Sequence, residues 1–197
     1  MMQKGKFIVF EGVDGSGKTT QAKLLVDLFK KNKIPAVYTK EPSKSKVSVL
    51  IKNILKEKTK INAAALQLLF AADRTVHLEK EIIPQLEKGI TVVCDRYFFS
   101  SLAYGKMSGV SLEWLMAVNS TFLSPDLVIF VDALPSECIR RINASRDKKE
   151  LFEKEEKLSK TRENFLLISK KFNNFFIVDG NKSITEINKE IMAILKL

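Results

Sequence analysis

Short apolar runs alternate along this chain with longer stretches in which apolar residues recur every three or four positions. The runs Lys6–Glu11, Ala36–Thr39, Thr91–Asp95, Leu127–Asp132 and Phe175–Asp179 predict strands. The stretches Thr20–Lys31, Lys46–Lys56, Asn62–Lys88, Leu112–Phe122, Pro135–Asn143, Glu150–Phe172 and Thr185–Leu195 predict helices. Strands separated by helices pair in parallel through right-handed crossovers. The run Leu127-Val128-Ile129-Phe130-Val131 lacks polar alternation, which fits a sheet covered on both faces. The pattern predicts a three-layer α/β fold with about five parallel strands flanked by helices. No internal repeat, low-complexity tract or linker divides the sequence, so residues 1–197 are expected to form one domain.

Ligands of such sheets sit beyond the carboxyl ends of the strands. Four predicted strands end there in an acid: Glu11, Asp95, Asp132 and Asp179. Asp95 stands apart because Arg96 and Tyr97 follow it at once. The first strand runs directly into Gly12-Val13-Asp14-Gly15-Ser16-Gly17-Lys18-Thr19, a complete G-x-x-x-x-G-K-[ST] loop, and an amphipathic helix pattern begins at Thr20. Glycines let such a loop curl so that its N–H groups face a phosphate, and the helix start adds its positive dipole end. Gly12, Gly15, Ser16, Gly17, Lys18, Thr19 and Thr20 are therefore the expected nucleoside triphosphate cradle. Lys18 reaches the β- and γ-phosphates and Thr19 offers its hydroxyl to Mg²⁺.

Composition narrows this further. The formal net charge of +10 is carried mostly by lysines scattered along predicted helices beside glutamates, as a solvated helical face would be. No nucleic-acid motif accompanies it, so no nucleic-acid partner is expected. No apolar run is long enough to span a bilayer and no signal-peptide pattern opens the chain. Cys94 and Cys138 form no metal spacing, and a cytoplasmic protein is expected. With His77 the sole histidine, triad and His-based metal chemistry lose their basis. Asn181-Lys182-Ser183-Ile184 lacks the aspartate of a guanine-reading loop, which argues against a GTPase.

Several motifs then converge. Phe10-Glu11-Gly12-Val13-Asp14-Gly15-Ser16-Gly17-Lys18-Thr19-Thr20 resembles the opening of thymidylate kinases. So do Lys40-Glu41-Pro42, Phe70-Ala71-Ala72-Asp73-Arg74, His77, Asp95-Arg96-Tyr97 with Ser100, Ala103-Tyr104, and Pro125-Asp126-Leu127 leading to Asp132. The resemblance covers nearly the whole chain and implies a P-loop kinase fold with a small lid around residues 141–155. It implies ATP and Mg²⁺ as cofactors, dTMP as the small-molecule substrate, no membrane partner and a homodimer. By resemblance, Phe70 stacks on thymine and Arg74 bonds the pyrimidine edge, with Ser101 a further candidate there. Asp14 binds the deoxyribose 3′-hydroxyl, Tyr104 lies against C2′, Arg96 holds the acceptor phosphate, and Asp95 orients Mg²⁺ together with Thr19. Lys40 replaces the family's arginine in Arg-Glu-Pro-Gly-Gly, giving a point charge for the phosphate in place of a bidentate fork. Gly105 stands where many members have glutamine after Ala-Tyr, and Phe165 replaces a late tyrosine and is read as packing.

A phosphate monoester is mostly dianionic at pH 7, so dTMP brings its own nucleophile and no general base is needed. Catalysis then consists of positioning and neutralising charge on the transferred phosphoryl. Some family members supply an arginine from within the loop; here that position is Gly15. The charge is expected from the lid, with Arg146 the first choice and Arg141 the second. A deoxynucleoside kinase, or a dUMP or dCMP kinase, shares the loop and the acid–arginine pair. A hydroxyl acceptor would need a base, for which Glu41 is the candidate. A regulatory or nucleic-acid-associated nucleotide binder is the alternative of another class, and the intact Lys18, Thr19, Asp95 and Arg96 argue against it.

Overall fold

A computed structural model describes residues 5–57, 59–145 and 155–196. Five parallel strands, β1 (Phe7–Glu11), β2 (Ala36–Lys40), β3 (Thr91–Asp95), β4 (Leu127–Asp132) and β5 (Phe175–Asp179), form one sheet in the order β2-β3-β1-β4-β5. All four pairings are parallel; Phe10 lies opposite Asp95 on one side and Ile129 on the other. The central strand β1 is buried along its whole length. Side chains alternate across a strand. Phe7 and Val9 therefore enter one core layer with Val92, Cys94, Val128 and Phe130, while Ile8 and Phe10 enter the other with Val93, Ile129 and Val131. The predicted three-layer α/β architecture is what the chain adopts.

The helices are α1 (Lys18–Lys31), α2 (Lys46–Glu57), α3 (Ala63–His77), α4 (Ile83–Glu87), α5 (Phe98–Met107), α6 (Leu112–Asn119), α7 (Pro135–Ser145), α8 (Glu155–Ser169) and α9 (Ile184–Leu195). Helices α1 and α9 cover one sheet face, and α5 and α8 pack together over the other. The predicted Asn62–Lys88 helix is real but interrupted: Leu78–Ile82 forms a π turn between α3 and α4. Pro84, in the first turn of α4, has no N–H for the carbonyl four residues back, so the ladder shifts register ahead of it. Asn62 caps α3 through its side-chain oxygen, and a Ser183–Glu186 capping box starts α9.

Helix α5 was not in the predicted set. Six of its ten residues are buried, so it carries little amphipathic contrast to detect. Its start is not capped locally either. Glu11, at the end of β1, accepts hydrogen bonds from the backbone N–H groups of Tyr97 (2.8 Å) and Ser100 (3.0 Å). A helix whose cap lies 86 residues away in sequence leaves no local signature.

Candidate active site

The loop between β1 and α1 folds around its glycines. Gly12, Gly15 and Gly17 all have positive φ, which L side chains rarely adopt. A Cβ at Gly12 would sit 2.5 Å from Ser16 Oγ, and one at Gly15 would sit 2.5 Å from the carbonyl oxygen of Cys138 on α7. A larger residue at position 15 would therefore collide with the helix that covers the loop. Ser16 Oγ is buried without a hydrogen-bond partner among the described residues, as a group awaiting a phosphate would be. Lys18 is buried, with Nζ 3.3 Å from Val13 O and 3.6 Å from Asp14. Burial, with the Arg96 charge adding to it, lowers the Lys18 pKa.

The carboxyl end of β3 faces this loop. Thr19 Oγ1 donates a short hydrogen bond to Asp95 Oδ2, and Tyr38 donates to the same oxygen at 3.2 Å. Asp95 Oδ1 is buried and has no partner among the described residues. Arg96 follows with φ +72°, a left-handed conformation that a non-glycine residue holds only where its surroundings impose it. Its guanidinium donates to Asp14 Oδ1 (2.5 Å) and Ser100 Oγ (3.1 Å) and lies 5.3 Å from the Tyr104 ring centroid. The Arg96 and Lys18 charges hold the half-exposed Asp14 carboxyl well below the usual carboxylate range. Ser100 Oγ in turn donates to Glu11 Oε2 at 2.6 Å. Burial pushes the Glu11 carboxyl up to about 7, against the opposing Arg96 charge.

A second wall is built on α3. Arg74 is 1% exposed, and its guanidinium donates to Glu41 (3.0 and 2.7 Å), Asn119 Oδ1 (2.7 Å) and Ser101 Oγ (3.3 Å). Glu41 also faces His77 Nδ1 at 3.4 Å, and His77 Nε2 meets Thr39 Oγ1 at 2.7 Å. Phe70, one turn earlier on the same helix, is only half-buried and outside both core layers. Asp73 ties down the 43–45 segment through Ser43 N, Ser43 Oγ and Ser45 Oγ, at 2.6–2.7 Å.

Nucleotide loop, acid–arginine pair and aromatic–arginine helix thus meet at one end of the sheet. Residues 10–191 match the family model described as thymidylate kinase. The chain belongs to the thymidylate kinase family. It is similar to the probable thymidylate kinase of Pyrococcus abyssi (strain GE5 / Orsay), with 43% identity over 98% of this chain and 97% of that one. The probable thymidylate kinase of Methanocaldococcus jannaschii is 39% identical over 99% and 98%, respectively. That of Staphylothermus marinus is 34% identical over 97% and 94%.

Within this thymidylate kinase, most residues singled out in the sequence come together. Lys18, Thr19, Asp95, Arg96, Asp14 and Tyr104 form one connected cluster, and Arg74 and Ser101 form another beside Phe70. Lys40 is exposed at the end of β2, opposite Asp95 in the strand register. Arg141 lies over the loop: Nη1 donates to Ser16 O (3.3 Å) and Gly180 O (2.9 Å), and Nε to Glu137 (2.7 Å). Arg146 lies outside the described residues. Of the expected lid around residues 141–155, residues 141–145 are the last turn of α7 and Glu155 begins α8. Arg162 forms a bidentate pair with Asp132 (2.5 and 2.8 Å) at the end of β4. Phe165 is buried and stacks on Phe130, as packing requires. Sequence reasoning gave no role to Glu11, Asp73, Tyr38 or Gln67. Glu11 carried the one available signal, an acid at the mouth of the central strand.

Proposed function

We propose that the two clusters are the donor and acceptor halves of the family's reaction. As a thymidylate kinase, the chain transfers the γ-phosphoryl group of ATP to dTMP in the presence of Mg²⁺, giving ADP and dTDP. The observation that carries the site assignment is the Lys18–Asp14–Arg96–Tyr104 chain of contacts, which joins the phosphate loop directly to the acceptor side.

In this reading the loop amides and Lys18 bind the β- and γ-phosphates, and Arg96 binds the dTMP phosphate. Asp14 holds the Arg96 guanidinium in place and meets the 3′-hydroxyl. Tyr104 lines the sugar, and Phe70 stacks on the base, with Arg74 and Ser101 along its edge. Lys40, exposed beside Asp95, adds charge at the acceptor phosphate. The attacking oxygen belongs to a phosphate already dianionic at pH 7, so no side chain needs to take a proton. Glu41, the candidate base of a nucleoside kinase, is fully engaged by Arg74 and His77. Thr19 and Asp95 would hold Mg²⁺, and the buried, unpartnered Asp95 Oδ1 fits that use. Mg²⁺ there supplies neutralising charge for the phosphates. Arg141, seated on the loop where Gly15 leaves no charge, adds cationic charge on the donor side. The protein is a homodimer in this reading, joined through the exposed apolar side chains Val49, Leu50 and Leu55 of α2 and Leu68 of α3.

The direct test is ADP release with ATP and Mg²⁺ across dTMP, dUMP, dCMP, dGMP and thymidine. dTMP should be turned over best and thymidine not at all. Thymidine phosphorylation in preference to dTMP would overturn the acceptor assignment.

A further inference from the structure

Tyr38 reaches the carboxylate of Asp95 from a different element than Thr19 does. It lies on β2, whose register places Tyr38 beside Val93 and Lys40 beside Asp95. Side chains two apart on a strand share a face, so Tyr38, Val93 and Asp95 all turn to the sheet face that α1 covers. Asp95 is then one pleat further on, roughly 7 Å along the strand, a span that a phenol can bridge. Tyr38 bridges it: its hydroxyl donates to Asp95 Oδ2 at 3.2 Å. The ring is seated on both sides. It packs against the core of that face, and Lys23 Nζ of α1 stands 5.6 Å from its centroid.

The two oxygens of Asp95 are therefore treated unequally. Oδ2 takes two hydroxyl donors, Thr19 from α1 and Tyr38 from β2. Oδ1 is buried and takes none among the described residues. A carboxylate held by one donor can turn about its last, soft torsion and exchange its oxygens. Two donors converging on one oxygen from separate elements fix which oxygen is left over. Thr19 has a single proton to give and is itself an expected metal ligand. The Tyr38 phenol has no second task, and a phenol keeps its proton well above neutral pH. A buried carboxylate oxygen with no donor is costly, and its lone pairs suit a hard cation. We propose that Tyr38 is a positioning residue for Mg²⁺: by holding Asp95 Oδ2 it reserves Oδ1 for the metal and its bound waters.

This inference rests on Thr19 and Asp95 holding Mg²⁺, and the test separates the two. Tyr38→Phe removes the hydroxyl and keeps the ring in its seat. Calorimetry gives the affinity for the β,γ-imido analogue of ATP, once in EDTA and once in excess Mg²⁺. The ratio of the two affinities is the metal's contribution. Tyr38→Phe should leave the affinity in EDTA unchanged and cut the ratio by ~10-fold, the usual effect of removing a partner of a ligating carboxylate. The Mg²⁺ concentration for half-maximal turnover should rise in step, with the KM for dTMP at saturating Mg²⁺ near wild type. Asp95→Asn is the companion arm and should lower the ratio further. If Asp95→Asn lowers the ratio while Tyr38→Phe keeps the wild-type value, Tyr38 is a packing residue and the inference is wrong. Equal losses in EDTA and in Mg²⁺ would overturn it in the same way, since a loosened fold weakens both. If Asp95→Asn also keeps the wild-type ratio, Asp95 does not hold the metal and Tyr38 falls with it.

Discussion

At the level of single residues, the site is organised by charges that hold one another. Arg96 combines a left-handed backbone with three side-chain contacts, so its guanidinium is held in one place. Arg96→Ala should lower kcat/KM for dTMP by ~3 kcal/mol of transition-state stabilisation, a factor of about 100 or more, with little change in thermal stability. Steady-state kinetics beside a melting curve would check this, and a tenfold loss or less would remove Arg96 from the chemistry. Arg141 should behave differently. It touches the donor loop and no acceptor residue, so Arg141→Ala should lower kcat and weaken ATP while leaving the KM for dTMP near wild type. A raised KM for dTMP alone would place Arg141 on the wrong side of the site. Lys18 and Thr19 stood out in the sequence through the spacing of the phosphate loop, and Asp95 with Arg96 through its place at a strand end, and the structure brings these residues and Asp14 together.

At the level of elements, Glu11 is the joint between the central strand and α5. It closes β1, caps α5 and fixes Ser100, which touches Arg96. Its carboxyl rises from 4.5 to about 7 because it is buried. A carboxyl raised in the folded state binds its proton more tightly there than in the unfolded chain. Its contribution to stability is therefore complete below about pH 4.5 and is lost as pH climbs through about 7. Wild type should lose ~3 kcal/mol relative to Glu11→Gln across that window, an order-of-magnitude figure from 1.36 kcal/mol per pKa unit. Urea denaturation of both proteins at about pH 5 and pH 8 measures it. A difference independent of pH would mean that the carboxyl titrates normally. The loop–α7 contact works at the same scale. Cys138 O occupies the space that any side chain at position 15 would need, so in this chain a loop arginine and the observed seat of α7 exclude each other. The charge supplied to the loop is instead the Arg141 guanidinium one turn further along α7.

At the scale of the whole molecule, α2 and α3 leave Val49, Leu50, Leu55 and Leu68 about half exposed on helices that are otherwise anchored. These side chains are the proposed dimer interface. Light scattering should give the mass of two chains for wild type, and of one 22.3 kDa chain for Leu50→Glu combined with Leu68→Glu. A monomeric wild type would reject the interface. Strand positions, parallel pairing and the phosphate loop were determined by the sequence alone, because the repeat of apolar runs and the glycine spacing are local and periodic; the order β2-β3-β1-β4-β5 came only with the tertiary structure. All five strands were foreseen to within a residue: β1 and β3 are buried on both faces and so read as apolar runs, and the edge strands β2 and β5 are short β-branched and aromatic runs between helical patterns. Helix α5 and the Glu11–Ser100–Arg96 and Glu41–Arg74–Asn119 networks were decided by tertiary structure. Their partners lie 33 to 89 residues apart, apart from the four-residue Ser100–Arg96 step. A polar side chain inside such a network is neither amphipathic nor solvated. Its stability comes from a hydrogen bond that exists only after the sheet and its covering helices have closed around it.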